Sequence, residues 1–455
     1  MNRDIFREYD IRGVADKDLT DDVVECIGKG FGTYAQSFGK KNVVLGRDCR
    51  LSSPRLHKAL LDALLSTGLN VVDIGICPTP VFYFSLFHLD RAGGMQITGS
   101  HNPPDQNGFK VCIDKGTIFG EEIQKLRQLC EKGRFARGQG ELSDYDINPA
   151  YQRFVTENIN LERSLKVIVD AGNGTAGPVA PRIMRDLGCE VEEMYCEMDG
   201  RFPNHHPDPT VPRYIEELID RVKGGGYDCG IAYDGDADRL GIIDDKGNIM
   251  WGDQLLIIFA REILARKPGS VVISEVKSSK ALFDDIGRHG GTPIMWKTGH
   301  SLIKEKMREK KAAVAGEMSG HIFFADRYFG FDDAIYSSCR LLEIISKSKI
   351  PLSEMLSDVP KMYSTPEIRT ECPEKIKFEV VEEITEYFKG NNYDVVDVDG
   401  ARVTFDDGWG LVRASNTQPI LVLRFEATSE KRLGEIRNLI EDKLNRVLEK
   451  KKKKV

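Results

Sequence analysis

Short apolar runs along the chain alternate with longer stretches whose apolar residues recur every three or four positions. Residues 42–48 (NVVLGRD), 70–80 (NVVDIGICPTP) and 93–100 (GGMQITGS) are apolar runs closed by glycine or proline, which predicts buried strands ending in turns. Residues 53–68 (SPRLHKALLDALLSTG) carry an apolar stripe and predict a helix. Strand, helix, strand implies a parallel or mixed sheet covered by helices. The pattern restarts at 165–177 (LKVIVDAGNGTAG) with a strand, a glycine loop and a helix start. Residues 227–250 (YDCGIAYDGDADRLGIIDDKGNIM) predict strand, acidic loop, strand, turn and strand. A third restart at 269–280 (GSVVISEVKSSK) is followed by 311–324 (KAAVAGEMSGHIFF). The likeness among these units is one of pattern, with no residue-by-residue repeat. After 358–368 (DVPKMYSTPEI) the texture changes to a helix over 374–389, strand-turn-strand over 394–425 and a last helix over 429–450. The fold class read from this order is α/β. Three similar mixed α/β domains (1–150, 151–252 and 253–365) precede a smaller C-terminal α+β domain (366–455).

Composition narrows the partners. The 455 residues exceed one ordinary core and suggest roughly two to four domains. A net charge of −7, from 64 basic and 71 acidic residues, speaks against nucleic acid. The run Lys450 to Lys454 reads as a solvated, disordered tail because consecutive like charges repel. Ten scattered cysteines contain no Cys-x-x-Cys pair, so reduced thiols and a cytoplasmic setting are expected. The first residues lack the apolar region of a signal peptide. No stretch of about 18 apolar residues suggests a membrane span. A homo-oligomer is left open.

The chemistry sits in loops. In residues 98–110 (TGSHNPPDQNGFK) Ser100 follows a predicted strand, and the Asn-Pro bond stiffens the loop. Ser100 reads either as a turn residue or as a nucleophilic or phosphate-carrying serine, with His101 and Lys110 beside it. The Gly-x-Ser-x-Gly elbow of hydrolases is absent here. In residues 234–239 (DGDADR), Asp234, Asp236 and Asp238 alternate, and in an extended segment they share one face. Two carboxylates about 4 Å apart repel by roughly 4 kcal/mol at an effective dielectric of about 20. An oxygen-only set of three therefore suits a cation such as magnesium, or else a solvated acidic hairpin. An EF-hand fails because its glycine position is Arg239 and its closing glutamate position is Asp245. The Gly-x-Gly-x-x-Gly of 170–177, with Glu190 and Glu192 downstream, formally fits a dinucleotide fingerprint. Nothing else calls for a nicotinamide, so it reads as a tight structural turn. Residues 316–321 (GEMSGH) offer Glu317, Ser319 and His321 to sugar hydroxyls, or form an ordinary turn. Residues 413–419 (RASNTQP) cluster Arg413, Ser415, Asn416 and Thr417, donors suited to a phosphate. The Ser-x-x-Lys match at 301–304 and the pair His205–His206 carry little, and Cys49 has no role to assign.

Taken in order, the stretches FREYDIRG, GRDCRLSS, TGSHNP, DAGNGTAG, DGDADR, TGHS, GEMSGH and RASNTQP resemble the α-D-phosphohexomutase family along nearly the whole chain. The resemblance implies four domains around a central cleft, the last a small mobile lid. It implies that Ser100 is a phosphoserine exchanging its phosphoryl group with substrate, helped by His101, Lys110 and Arg239. Asp234, Asp236 and Asp238 would hold magnesium against Ser100. Glu317, Ser319 and His321 would face the sugar, and Arg413, Ser415, Asn416 and Thr417 the phosphate not reacting. Tyr9, Arg12, Lys277 and His300 match positions lining the cleft. The implied partners are hexose phosphates, with hexose 1,6-bisphosphate as intermediate and activator. Met318 resembles the phosphomannomutase/phosphoglucomutase branch, whereas the phosphoglucosamine branch usually carries Gln there. A non-catalytic sugar-phosphate binder on the same fold would be expected to have lost Ser100 or an aspartate, and all are present.

Overall fold

The computed structural model describes residues 1–416 and 418–452; Thr417 and 453–455 lie outside the described residues. The chain forms two compact units. The first comprises Met1–Leu255 and Ser319–Met355, the second Leu256–Met318 and Leu356–Val455.

The first unit contains two mixed sheets. One runs in the order Ile11–Val14, Gln106–Ile113, Gly93–Ile97, Asn42–Arg47, Asn70–Ile76, Leu142–Asp144, with Gly116–Thr117 paired to Gln106–Ile113. The last four strands of that order are parallel, whereas Gln106–Ile113 is antiparallel to both its long neighbours. Parallel strands are covered on both faces and so read as continuous apolar runs. Asn42–Arg47 accordingly buries Val43, Val44 and Leu45 completely. The helix Ser53–Ser66 lays Leu56, Leu60 and Leu64 into the same core as Val43, Leu45, Val71 and Met95. The sequence ended its second strand in a turn at 77–80, but a helix, Thr79–His88, begins there. Every side chain from Thr79 to Leu86 is buried, so it has no polar face to mark it as helical.

The second sheet of this unit has the order Ile249–Met250, Leu240–Asp244, Cys229–Tyr233, Lys166–Asp170, Glu190–Met194. Cys229–Tyr233 is parallel to Lys166–Asp170 and antiparallel to Leu240–Asp244. The Ser100 loop and the Asp234–Arg239 loop thus both follow the carboxyl ends of strands with parallel neighbours, the usual place for a ligand site in such sheets.

In the second unit Val271–Glu275 lies between Thr292–Trp296 and Val314–Gly316, all parallel. A separate antiparallel sheet contains Tyr363–Ser364, Ile368–Glu371, Asp394–Val396, Ala401–Phe405, Gly408–Ala414 and Ile420–Ala427. The helices Lys377–Gly390 and Glu430–Lys452 share its core through Val380, Ile384, Ile436, Ile440 and Leu444. This is the α+β texture expected after residue 366. The lysine run departs from expectation. Lys450 and Lys451 continue the final helix and meet Glu383 at 3.0 Å and Glu379 at 2.9 Å. Those acidic partners offset the repulsion that predicted a free tail; Lys453 and Lys454 lie outside the described residues. Among the described residues no helix is long and apolar enough to cross a membrane.

Candidate functional site

The Ser100 loop departs from extended geometry at the serine itself. Ser100 has φ +48°, a left-handed conformation that non-glycine residues rarely adopt and that is held only by surrounding structure. Three features hold it here. Its carbonyl oxygen accepts from Arg50 Nη2 over 2.7 Å. Its N–H donates to Thr98 Oγ1 over 2.9 Å. Gly235, in the acidic loop, approaches so closely that a Cβ there would meet the Ser100 carbonyl oxygen at 2.5 Å. The Ser100 hydroxyl donates to Asp234 Oδ2 over 2.9 Å and is almost fully buried.

The acidic loop converges by turning. Residues 234–239 lie between the strands Cys229–Tyr233 and Leu240–Asp244, and Ala237 has φ +60°. The Ala237 N–H donates to the Asp234 carbonyl oxygen over 3.1 Å, and the Asp238 and Arg239 N–H groups donate to Asp234 Oδ1. The three aspartates therefore share a site through a tight turn rather than the extended segment read from their alternation. Each offers a carboxylate oxygen within 4.8 Å of the others, and all are fully buried. Burial and the neighbouring Asp238 and Asp236 push the Asp234 carboxyl well above its ordinary value. Burial opposes charge on Asp238 too, but Lys110, His321 and Arg239 hold it well below. The Lys110 Nζ pairs with Asp238 Oδ2 and lies 3.6 Å from Asp236 Oδ2. Burial opposes the Lys110 charge, yet Asp236 and Asp238 raise its pKa well above the usual lysine value. Asp236 Oδ1 and Asp238 Oδ1 have no hydrogen-bond partner. Asp238 Oδ1 has His321 Nε2 at 3.4 Å, whereas Asp236 Oδ1 is a carboxylate oxygen at zero exposure with no donor, which is costly unless a cation meets it. The all-oxygen set fits a hard divalent cation.

The remaining residues of the first unit frame this centre. His101 Nδ1 lies 3.2 Å from Asp208 Oδ2; burial and Arg239, against Asp208, lower its pKa to about 4. Arg12 ties Asp10 at 2.6 Å to the Asn102 side chain at 2.8 Å. Arg239 Nε donates to His321 Nε2 over 2.9 Å, and the same nitrogen lies 3.4 Å from Asp238 Oδ1. Ser319 is half-buried on the same loop, where the Gly320 carbonyl accepts from Leu240 N–H over 3.0 Å. Tyr9 is half-buried ahead of the strand Ile11–Val14.

In the second unit, buried Glu275 and the half-buried Asp399 organise the rest. Glu275 accepts from Thr298 Oγ1 at 2.5 Å and Met318 N–H at 3.2 Å, and its Oε1 lies 3.5 Å from Lys277 Nζ. Burial raises the Glu275 pKa, Lys277 opposing. Glu317 Oε1 accepts from Gly299 N–H over 2.7 Å, just before His300 opens the helix His300–Lys310. Asp399 Oδ2 accepts from Thr298 N–H at 3.0 Å and Arg413 Nε at 3.1 Å. Ser415 is buried and Asn416 exposed in the turn after Gly408–Ala414; Thr417 lies outside the described residues.

Sequence reasoning passed over Asp48, Arg50, Thr79, Thr98, Asp208, Glu275 and Asp399. Asp48, Arg50 and Thr98 stand inside stretches singled out above, but as support for the reacting groups they have no spacing signature. Cys49 donates to the Asn173 carbonyl oxygen at 3.6 Å, and burial pushes its thiol up to about 12, which suits packing rather than chemistry. The loop 170–177 packs on the acidic loop, its Thr175 N–H donating to the Gly235 carbonyl oxygen over 3.1 Å.

Comparison with known proteins returns one family. Models of phosphoglucomutase/phosphomannomutase α/β/α domains I, II and III match residues 3–137, 149–247 and 251–363, and that of the C-terminal domain matches 367–443. The phosphomannomutase/phosphoglucomutase of Pseudomonas aeruginosa is 46% identical over 443 residues, covering 97% of this chain and 96% of that one. The phosphoglucomutase of Neisseria gonorrhoeae is 46% identical over 96% of each chain. The crystal structure of a phosphoglucomutase/phosphomannomutase family protein from Burkholderia thailandensis superposes with a TM-score of 0.94 at 43% identity, covering 98% of both chains.

Proposed function

Because the chain belongs to the phosphoglucomutase/phosphomannomutase family, a family of enzymes, we propose that it interconverts hexose 1-phosphates and hexose 6-phosphates through a phosphoserine at Ser100. The observation that carries this reading is the Ser100 hydroxyl hydrogen-bonded at 2.9 Å into three buried aspartates with Lys110 alongside.

Asp234, Asp236, Asp238 and phosphorylated Ser100 would hold Mg2+, whose charge, when bound, neutralises the phosphoryl oxygens. The chain's own groups do the rest. Phosphoryl transfer depends on alignment and charge more than on covalent novelty. Lys110, kept cationic by Asp236 and Asp238, offsets charge on the transferred group. With its Nδ1 proton turned to Asp208, His101 keeps Nε2 as acceptor for the proton of the attacking sugar hydroxyl. The bond from phosphorus to Ser100 Oγ breaks as the bond to the sugar oxygen forms, giving a hexose 1,6-bisphosphate. After the intermediate turns over, its other phosphoryl group returns to Ser100. Arg413, Ser415 and Asn416 hold whichever phosphate is not reacting, and Glu317 and Ser319 take the sugar hydroxyls.

Mannose and glucose are the proposed sugars. Met318 supports this, as do the names of the relatives at 46% identity. The test is turnover of mannose 1-phosphate, glucose 1-phosphate and glucosamine 1-phosphate side by side, with Mg2+ and a trace of hexose 1,6-bisphosphate. Fast turnover of the first two is expected. A preference for glucosamine 1-phosphate would overturn the sugar assignment, and no turnover of any would overturn the activity.

A further inference from the structure

Asp236 is held by two threonines from outside the acidic loop. Thr79 Oγ1 donates to Asp236 Oδ2 over 2.6 Å, and Thr79 N–H donates to the Asp236 carbonyl oxygen over 2.9 Å. Thr98 Oγ1 donates to the same Oδ2 over 3.0 Å. A hydroxyl has one proton. The Thr98 oxygen already accepts the Ser100 N–H over 2.9 Å, so its proton is free to go to Asp236. Thr79, Thr98, Ser100 and Asp236 are 0%, 2%, 4% and 0% exposed. Oδ2 of Asp236 thus carries two hydroxyl hydrogen bonds and the nearby charge of Lys110, while Oδ1 has no hydrogen-bond partner.

We propose that Thr79 and Thr98 are positioning residues for the cation site. They saturate one carboxylate oxygen of Asp236, fix the rotation of the group and leave Oδ1 alone as the ligand atom. The Thr98 hydroxyl also couples that rotation to the left-handed backbone of Ser100, so nucleophile and ligand are set together. The inference rests on the cation-site reading above.

The physical case is one of preorganisation. The last torsion of an aspartate is broad, so an unclamped Asp236 samples orientations that present either oxygen or both. Ordering it in advance removes that cost from binding, as partners behind a metal ligand commonly do. Threonine suits the task because its hydroxyl stays neutral beside three carboxylates, and its branched Cβ restricts the rotamer.

The test uses the full-length protein before phosphorylation, without substrate, and titrates Mn2+ while electron paramagnetic resonance counts the free ion. Variants are Thr79→Val, Thr98→Val and Thr98→Ser, with folding checked by circular dichroism. Each valine variant is expected to weaken Mn2+ binding roughly tenfold to hundredfold, with Thr98→Ser within about threefold of wild type. If wild type binds Mn2+ and the valine variants match it within about threefold, the positioning role is overturned and the cation site stands. If wild type fails to bind Mn2+, the cation-site reading itself falls, and this inference with it. Should Thr98→Val not fold, Thr79→Val and Thr98→Ser decide the question, since one removes and the other keeps a hydroxyl.

Discussion

Arg50 donates to the Ser100 carbonyl oxygen over 2.7 Å while fully buried. The same Nη2 reaches the Asn102 carbonyl at 2.7 Å, and Nη1 reaches those of Pro103 at 2.6 Å and Gln106 at 3.0 Å. Asp48 balances the charge, its Oδ2 lying 3.2 Å from Arg50 Nε and accepting the Gly99 N–H. A Cβ at position 99 would come within 2.4 Å of that Nε, so the glycine makes room for the guanidinium. One cation thus donates to four carbonyls of the 100–106 segment, of which that of Ser100 is buried, where an unpaired backbone group is costly.

Arg50→Lys is expected to damage both fold and activity. A lysine ammonium cannot reproduce the planar fork that spans four acceptors. Leaving the buried Ser100 carbonyl and Asp48 unpaired costs on the order of 3 kcal/mol or more. A shift of Ser100 by about 1 Å costs about a hundredfold in kcat. Thermal melting together with steady-state kinetics checks this; a wild-type melting temperature and kcat would contradict it.

Asp236→Asn is expected to separate stability from function. It removes one carboxylate from a buried cluster of three, where two like charges about 4 Å apart repel by roughly 4 kcal/mol at an effective dielectric of about 20. The amide oxygen still accepts from Thr79 and Thr98. In chelator the variant should melt no lower than wild type, yet bind Mn2+ at least about tenfold more weakly and lose turnover. Chelating wild type should likewise stop turnover, and Mg2+ should restore it. Melting curves in chelator and a cation titration decide the matter.

Much of this arrangement was legible in the sequence, and the remainder was hidden for physical reasons. Strands with parallel neighbours and stripe-bearing helices announced themselves by periodicity, and Ser100 and the aspartates by their residue types. The acidic loop gave the three aspartates that cluster, but by the wrong geometry, because alternation cannot reveal the left-handed Ala237 that turns it. Arg50, Thr79 and Asp208 were passed over because their work is done across about 50, 157 and 107 residues respectively, and position in the chain carries no trace of such contacts. Thr79–His88 escaped because a helix buried on every side has no amphipathic signature.

Asp333 is expected to make stability depend on pH. It accepts from Tyr328 Oη at 2.6 Å, Tyr151 Oη at 2.9 Å and Tyr336 N–H at 2.8 Å. Burial nonetheless raises its pKa to about 7 from an ordinary 3.8, those three donors opposing and Asp332 adding to the rise. The folded protein therefore holds this proton more tightly than the unfolded chain. The associated stability is fully present below about pH 4 and is lost as pH rises through about 7, on the order of 4 kcal/mol in all. Asp333→Asn removes the ionisation. Urea midpoints at pH 5 and pH 8 should differ less for the variant than for wild type; equal differences would contradict the assignment.

Arg413→Ala is expected to raise KM for hexose phosphates by roughly thirtyfold or more, with kcat changing less. Arg413→Lys should fall between, keeping charge without the bidentate fork. Initial-rate kinetics with both phosphate positions of the sugar check this. If only one of the two is affected, a single cradle serving either end is wrong.

The central claim is that Ser100 carries the phosphoryl group. The most direct measurement is peptide mapping by tandem mass spectrometry after incubation with glucose 1,6-bisphosphate and Mg2+. One phosphoryl group is expected, on Ser100 of the peptide spanning 98–110, absent in Ser100→Ala and discharged when hexose 6-phosphate is added. A phosphoryl group found elsewhere, or one on Ser100 that hexose 6-phosphate leaves in place, would contradict the account.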